Sequence, residues 1–511
     1  MKKYTKNIFY FLLVFLTTTA CNEDHEPPNI LFCISDDQSW AHTSFAGAKE
    51  LETPGFDRIA ETGIYFENAY TAAPSCAPSR AAILTGQDIY RLKEGGLLFG
   101  ALSREFPVFT ELLRDAGYEI AYTGKGYAPA KKDKEGYYQN PFGRQYDSLK
   151  LKAPPGILNT DYAGNFQLFL EQNKEQPFFF WFGCKEPHRN YSEGIGAENG
   201  KNLNRIEVPG FLPDAPEIRK DIADYYFEIE WFDKHLRRMI ALLEEKGELE
   251  NTLIVVVSDN GMPFPRAKAT LYEYGTHMPM AVSWPAKISA GRKVADFISF
   301  TDLAPTFLEL AGVEPSPQMT GRSFTDILYS GKSGWIDSSR NQVVTAIERH
   351  TYARRGGLPY PSRAIRKGDW VYIRNFEPDR WPAGGPDFKS PHQGIYGDVD
   401  SGLSRTYMLE NKDSEKVEPY FELAFGKRPA EELYNLKEDP FQLRNLAGEG
   451  NHKNQLEQLK NALTNYLQET DDPRMSGESP WDNYPYYFQD FPERSKLPVS
   501  ERDTLIDGYL Q

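Results

Sequence analysis

Two apolar runs that end in oxygen-bearing side chains constrain this chain more than any other feature. Asn29-Ile30-Leu31-Phe32-Cys33-Ile34 leads into Ser35-Asp36-Asp37, and the β-branched run Thr252 to Val257 leads into Ser258-Asp259-Asn260. A short continuous apolar run is the pattern of a strand buried on both faces, as in a parallel sheet covered by helices. Both runs deliver their polar residues at the C-terminal end, where open α/β sheets bind ligands.

The rest of the pattern agrees. Thr53-Pro54 opens an expected helix, with Thr as N-cap and Pro in the first turn. Pro78 to Leu84 and Pro107 to Ala116 are expected helices, and Tyr118 to Thr123 and Pro177 to Gly183 expected strands. Across residues 216–246, Ile218, Ile222, Tyr225, Ile229, Phe232, Leu236, Met239 and Leu243 recur at spacings of three and four. That periodicity predicts a long amphipathic helix whose stripe is core. Strands alternating with helices predict an α/β fold, a mixed and mostly parallel sheet flanked by helices. From about residue 340 the pattern changes to short strands (Gln342 to Ile347, Trp370 to Asn375), polar loops and a helix near 453–469. The expected division is therefore 27–338 for a large domain and 340–511 for a smaller C-terminal α+β subdomain with a short sheet, its tail from Asp471 wrapping the surface.

The formal net charge of −15 argues against a nucleic-acid partner, which needs a basic face for phosphates. A local basic pocket can still admit an anionic substrate. At the N-terminus Lys2, Lys3 and Lys6 precede the apolar run Ile8 to Leu16, which is too short to span a membrane and reads as a signal peptide. Thr17-Thr18-Thr19-Ala20-Cys21 resembles a bacterial lipobox, with Thr18 where Leu is usual. Residues 1–21 are thus expected to direct export, with Cys21 lipidated. The expected location is the periplasm or surface of a Gram-negative bacterium, with the membrane touched only through the lipid anchor. Of the four cysteines, Cys33 and Cys184 lie in apolar contexts and are expected as buried free thiols, with no disulfide framework.

The most specific string is Ser75-Cys76-Ala77-Pro78-Ser79-Arg80, followed by Thr85-Gly86. It resembles the C-x-P-S-R signature of the formylglycine-dependent sulfatases, and within them is closest in appearance to the heparan N-sulfatase (sulfamidase) group. Supporting strings are Glu186-Pro187-His188-Arg189, Ser258-Asp259-Asn260-Gly261-Met262-Pro263, Val208-Pro209-Gly210-Phe211-Leu212-Pro213 and Tyr360-Pro361-Ser362-Arg363. Glu432-Leu433-Tyr434-Asn435-Leu436 and Asp439-Pro440 match the family's C-terminal string, so the resemblance covers nearly the whole mature chain.

The resemblance implies an alkaline-phosphatase-like fold and a hydrolase that removes sulfate from a polysaccharide or oligosaccharide. It implies that Cys76 is oxidised to formylglycine by a maturation enzyme, and that Asp36, Asp37, Asp259 and Asn260, with residue 76, hold one divalent cation. Oxygen donors suit calcium best. Arg80, Lys125 (in Thr123-Gly124-Lys125), His188 and Lys268 match the family's cationic positions. Taken alone, each lysine would be a solvated surface residue. The family usually has His two positions after the motif lysine; this chain has Tyr127, a poor base near neutral pH and only a possible site residue. His42, Arg189, Arg349, His350 and Arg363, with Arg354 and Arg355 beside them, are candidates for a substrate rim, since guanidinium groups suit sulfates and carboxylates.

Two other readings compete with this one. A phosphatase or phosphodiesterase of the same superfamily would often use two metals and a Ser or Thr nucleophile. An inactive glycan-binding lipoprotein would need no intact Cys motif.

Overall fold

The computed structural model describes residues 27–130, 135–173, 175–390 and 393–488; the expected signal segment and Cys21 lie outside the described residues. The first eight strands are β1 (Asn29–Ser35), β2 (Ile64–Tyr70), β3 (Glu119–Gly124), β4 (Arg144–Gln145), β5 (Phe178–Gly183), β6 (Thr252–Ser258), β7 (Met280–Ser283) and β8 (Arg292–Ser299). They form one sheet in the order β4-β3-β5-β1-β6-β7-β2-β8. β7 pairs antiparallel with β6 and β2, and the other pairings are parallel.

The unbroken apolar runs have the cause expected of them. In β1, Ile30, Phe32 and Ile34 pack into the core on one face and Leu31 and Cys33 into that on the other. β5 repeats this: Phe179 and Trp181 join the first core, while Phe178, Phe180 and Phe182 join the second. Each such side chain taken fully from water contributes about 1.5–3 kcal/mol.

The long helix Pro216–Lys246 starts with Pro in its first turn and ends at Gly247 in the left-handed conformation. Its stripe serves two cores. Phe232, Leu236, Met239 and Leu243 pack under the sheet. Ile218, Ile222, Tyr225 and Ile229 pack against the loops above it.

The remaining strands, β9 (Gln342–Ile347), β10 (Ser362–Lys367), β11 (Trp370–Asn375) and β12 (Glu431–Asn435), make an antiparallel sheet in the order β12-β11-β10-β9. The helix Lys453–Glu469 lays Leu456, Leu459, Leu463 and Leu467 on one face, together with Ala82, Ile89 and Tyr90 of the large domain. The opposite face packs on Leu271 and Tyr272. The small sheet is thus wedged between the segment that follows Cys76 and the segment that follows Lys268. No helix among the described residues is long and apolar enough to cross a membrane.

Candidate active site

Register brings the two acidic strand ends together. Ser35 of β1 pairs with Ser258 of β6, so Asp36-Asp37 and Asp259-Asn260 leave the sheet side by side. Gly183 of β5 pairs with Gly124 of β3 and sits one strand from β1. Lys125 therefore emerges beside Asp36. Gly124 has φ +77°, and a Cβ there would meet the Gly183 carbonyl at 2.2 Å, so only glycine fits this close approach. Asp37 also has φ +77°, an uncommon conformation for a residue with a side chain; Arg266 and Ala269, which flank Lys268, share it.

Cys76 opens the helix Cys76–Thr85, two residues earlier than Pro78, where the sequence pattern starts it. The first turn of a helix presents unpaired N–H groups and the positive end of its dipole. Cys76 is buried, its Sγ lies 3.8 Å from Asp37 Oδ1, and burial pushes its thiol well up.

Five ion pairs among the described residues bind the acids to the cations, the longest between Arg80 Nη2 and Asp36 Oδ1 at 3.9 Å. Lys125 Nζ donates to Asp36 Oδ2 at 2.6 Å, and Arg80 Nε to Asp259 Oδ2 at 2.8 Å. Lys268 Nζ donates to Asp37 Oδ2 at 2.7 Å and to Asp400 Oδ2 at 3.0 Å. Arg80 Nη1 also donates to the Lys125 and Gly126 carbonyls at 2.8 and 3.1 Å.

The acids divide electrostatically. Burial pushes Asp36 up, but Lys125, His188, Arg80 and Lys268 outweigh it and hold this carboxyl well below the usual range. Asp37 and Asp259 are pushed up to about 6, burial first and the charge of Asp36 next, with Lys268 and Arg80 opposing without cancelling. Burial disfavours the Lys268 ammonium, yet Asp37 and Asp400 together keep it charged.

These residues fit a hard divalent cation. Ligand atoms of Asp36, Cys76 and Asp259 lie within 4.8 Å of one another. Asp36 Oδ1 and Asn260 Oδ1 are buried with no hydrogen bond among the described residues. Two carboxyls that resist ionising beside a third are matched by an added positive charge, and all these acid and amide donors are oxygens.

His188 is half-buried beside Lys268, Asp36, Lys125 and Asp400, and desolvation with the two lysines pushes its imidazole below the ordinary value. Its Nδ1 lies 2.7 Å from the Arg189 carbonyl, a contact that makes Nδ1–H the donor and directs Nε2 elsewhere.

The predicted rim fares differently. His350 is at the site's edge: its Nδ1 lies 2.8 Å from the Ser75 hydroxyl, and it helps to hold Asp400 ionised. Arg363 is a correction. It is 0% exposed and paired with Glu348 at 2.8 Å and Asp472 at 2.7 Å. It faces inward because β10 alternates and its side of the strand is covered. His42 is likewise buried against Tyr225 and held down to about 3 by burial, so it is a neutral core residue. Arg189 grips both oxygens of Asp221 at 2.7 Å and lies over Tyr191 and Phe264, tying its loop down instead of lining a rim. Arg349 donates to the Tyr484 and Pro485 carbonyls, and Arg354 pairs with Asp398 at 2.7 Å. Arg355 donates to the Asp387 carbonyl.

Tyr127 is buried, its hydroxyl has no hydrogen bond among the described residues, and burial together with Glu94 pushes it up. It is no base near neutral pH. Cys33 and Cys184 are buried free thiols. A cavity of about 510 Å³ beside Asn29 and Phe178 opens at the N-terminal ends of β1 and β5, the far end of the sheet from the acids.

A sequence model of the sulfatase family matches residues 28–313. The chain belongs to the sulfatase family. Over 495 residues this sulfatase is 28% identical to an ulvan-active sulfatase of Formosa agariphila, covering 95% of this chain and 90% of that protein. Over 485 residues it is 26% identical to human (Homo sapiens) N-sulphoglucosamine sulphohydrolase, covering 88% of this chain and 91% of that one. It shares its fold with a protein solved in complex with its substrate D-glucosamine-2-N,6-O-disulfate (TM-score 0.64, 20% identity, 89% of this chain and 100% of that one). The alkaline-phosphatase-like architecture expected from the sequence is the one observed.

Asp400 is the residue of this sulfatase's site that sequence reasoning missed. It lies in a polar loop of the small domain with no periodicity or motif around it, so no local signal marks it.

Proposed function

We propose that this sulfatase removes sulfate from a sulfated glycan, using residue 76 after its oxidation from cysteine to formylglycine by a maturation enzyme. The observation that carries the reading is the position of Cys76. It sits in the first turn of a buried helix, with Asp36, Asp37 and Asp259 on one side and Lys125, Lys268 and Arg80 around them. Burial keeps an unmodified thiol protonated there, which argues against a thiolate nucleophile.

Hydrated formylglycine supplies one oxygen that attacks sulfur as the bond from sulfur to the glycan oxygen or nitrogen breaks, and a second hydroxyl whose deprotonation expels sulfate and restores the aldehyde. A divalent cation held there, calcium on the chemistry of the donors, would supply positive charge to the sulfate oxygens. Asp36, Asp37, Asp259 and Asn260 would hold it together with residue 76. Lys125 and Lys268 balance negative charge that develops on sulfate oxygens, and Arg80 locks Asp259 in orientation. His188 turns Nε2 towards the site and exchanges a proton with the leaving oxygen or nitrogen. Tyr127 takes no part in proton transfer.

The names of the relatives support a glycan substrate, either an N-sulfated glucosamine, in the manner of a sulfamidase, or an O-sulfated glycosaminoglycan or algal glycan. Export through residues 1–21, with Cys21 lipidated at the cell surface or facing the periplasm, belongs to the same reading.

The test is a sulfate-release screen on defined N-, 2-O-, 3-O- and 6-O-sulfated saccharides. The protein is produced with a maturation enzyme. Release is expected from one class, falling to background in Cys76→Ala at unchanged thermal midpoint. Peptide mass spectrometry is expected to find an aldehyde at position 76. Turnover by Cys76→Ala, or active protein bearing only thiol, refutes the mechanism.

A further inference from the structure

Lys268 has two carboxylate partners. Asp37 already supplies a counter-charge at 2.7 Å, and Asp400 adds a second at 3.0 Å from a loop 132 residues away. A carboxylate at the mouth of a site that must admit an anion opposes the arriving charge. Such a residue needs a role that offsets this repulsion.

Asp400 retains capacity to accept. An ionised carboxylate has about four acceptor positions. Oδ2 receives the Lys268 ammonium, and Oδ1 receives a long bond of 3.3 Å from Gln393 Nε2. The side chain is 11% exposed, against 0–1% for Asp36, Asp37 and Asp259, so it is the acid of this group that faces the opening. The Lys268 ammonium, 3.0 Å away, holds it ionised against its burial. An anionic group that reaches Lys268 brings the atoms bonded to it within a hydrogen bond of Asp400. An ionised carboxylate can only accept, so the matching group on the ligand is a donor. On a sulfated sugar that donor is a hydroxyl beside the sulfate.

We propose that Asp400 is a specificity-determining residue that accepts a hydrogen bond from a free hydroxyl flanking the sulfate. It thereby selects sugars in which that hydroxyl is present and rejects those in which it is itself sulfated. This inference rests on the sulfated-glycan reading.

The experiment compares wild type, Asp400→Asn and Asp400→Ala. The probe pair is the screened sugar that wild type cleaves and its deoxy analogue lacking the flanking hydroxyl. That analogue is 3-deoxy for N-sulfo-D-glucosamine and 4-deoxy for a 6-O-sulfated hexosamine. Inhibition by inorganic sulfate is read alongside. Wild type is expected to prefer the hydroxylated sugar by roughly thirtyfold or more in kcat/KM, the scale of a hydrogen bond to a charged group. Asp400→Ala is expected to lose that preference through KM, and Asp400→Asn most of it. Both variants are expected to bind inorganic sulfate nearly as tightly as wild type, because Lys268 retains Asp37. Equal losses on both sugars, or weakened sulfate inhibition in step with kcat/KM, would mean that Asp400 only positions Lys268 and would overturn the inference. So would an unchanged preference. A wild type that releases sulfate from no saccharide of the screen overturns the glycan reading itself and is seen before any variant is made.

Discussion

Replacing Arg80 by Met isolates what the most deeply buried cation of the site does. Arg80 is 0% exposed; its Nε donates to Asp259 at 2.8 Å and its Nη1 to the Lys125 and Gly126 carbonyls at 2.8 and 3.1 Å. Methionine keeps most of the stem volume beside Trp181 but removes every donor. Removing one partner of a buried ion pair costs about 3–5 kcal/mol, because the other charge is left uncompensated. Stranding a buried carbonyl costs about 1–3 kcal/mol, an overlapping loss that relaxation and water partly recover. The expected destabilisation of Arg80→Met is therefore about 4 kcal/mol. Lost orientation of Asp259 and lost positive charge should lower kcat by about 10²–10³-fold, the scale of removing one preorganised electrostatic group. Urea unfolding followed by tryptophan fluorescence, in chelator and in excess calcium, measures the first quantity, and sulfate release measures the second. The double variant Arg80→Met/Asp259→Asn is decisive. Neutralising Asp259 should return about 1–3 kcal/mol of stability through the coupling between the two sites, while activity stays lost. A loss below about 1 kcal/mol in Arg80→Met, or no recovery in the double variant, would refute the argument.

Acid sensitivity follows from buried neutral histidines. Burial holds His42 and His235 down to about 3, whereas an exposed histidine titrates near 6.5. The unfolded chain binds more protons between these values, so stability is lost as pH falls through that window. His42→Phe keeps ring packing against Tyr226 and Tyr274 and should flatten that fall by up to about 1.4 kcal/mol per pH unit. Unfolding midpoints measured at about pH 7 and about pH 5 check it, and an unchanged slope would refute it. Arg363→Met should cost about 3–5 kcal/mol by stranding Asp472, while Glu348 keeps Arg474, with KM for the cleaved saccharide unchanged. A raised KM at unaltered stability would return Arg363 to the substrate surface.

Local pattern carried much of this protein. The helices at 216–246 and 453–469 and the strands at 342–347 and 370–375 fall where periodicity puts them. Each is long, or apolar enough, for its burial to be written in its own residues. β1 and β6 were legible because both faces are covered. The strands β2, β7, β8, β10 and β12 were not, since they are short or mix polar residues into the run: β2 reads Ile-Tyr-Phe-Glu-Asn-Ala-Tyr, and β10 Ser-Arg-Ala-Ile-Arg-Lys. Their strand character comes from neighbours in the sheet, not from propensity.

The chemistry divides along the same line. The Cys76 string, the two acidic strand ends and the positions of Lys125, His188 and Lys268 stand in the sequence as contiguous motifs. Whether a charged side chain faces a ligand or a partner does not, because that depends on which distant segment closes over it. Arg363 and Arg354 read alike as basic residues near a tyrosine-rich loop, yet one is sealed between Glu348 and Asp472 and the other paired with Asp398. Asp400 carries no motif at all. It becomes part of the site because Tyr396 and Val399 of its loop pack into one core with Met262 and Phe264, which precede Lys268, bringing Asp400 to that lysine. Motif residues are set by the chain's own order, but burial and ion pairing are set by contacts between segments that can lie 132 residues apart, as Lys268 and Asp400 do, and only the tertiary structure decides those.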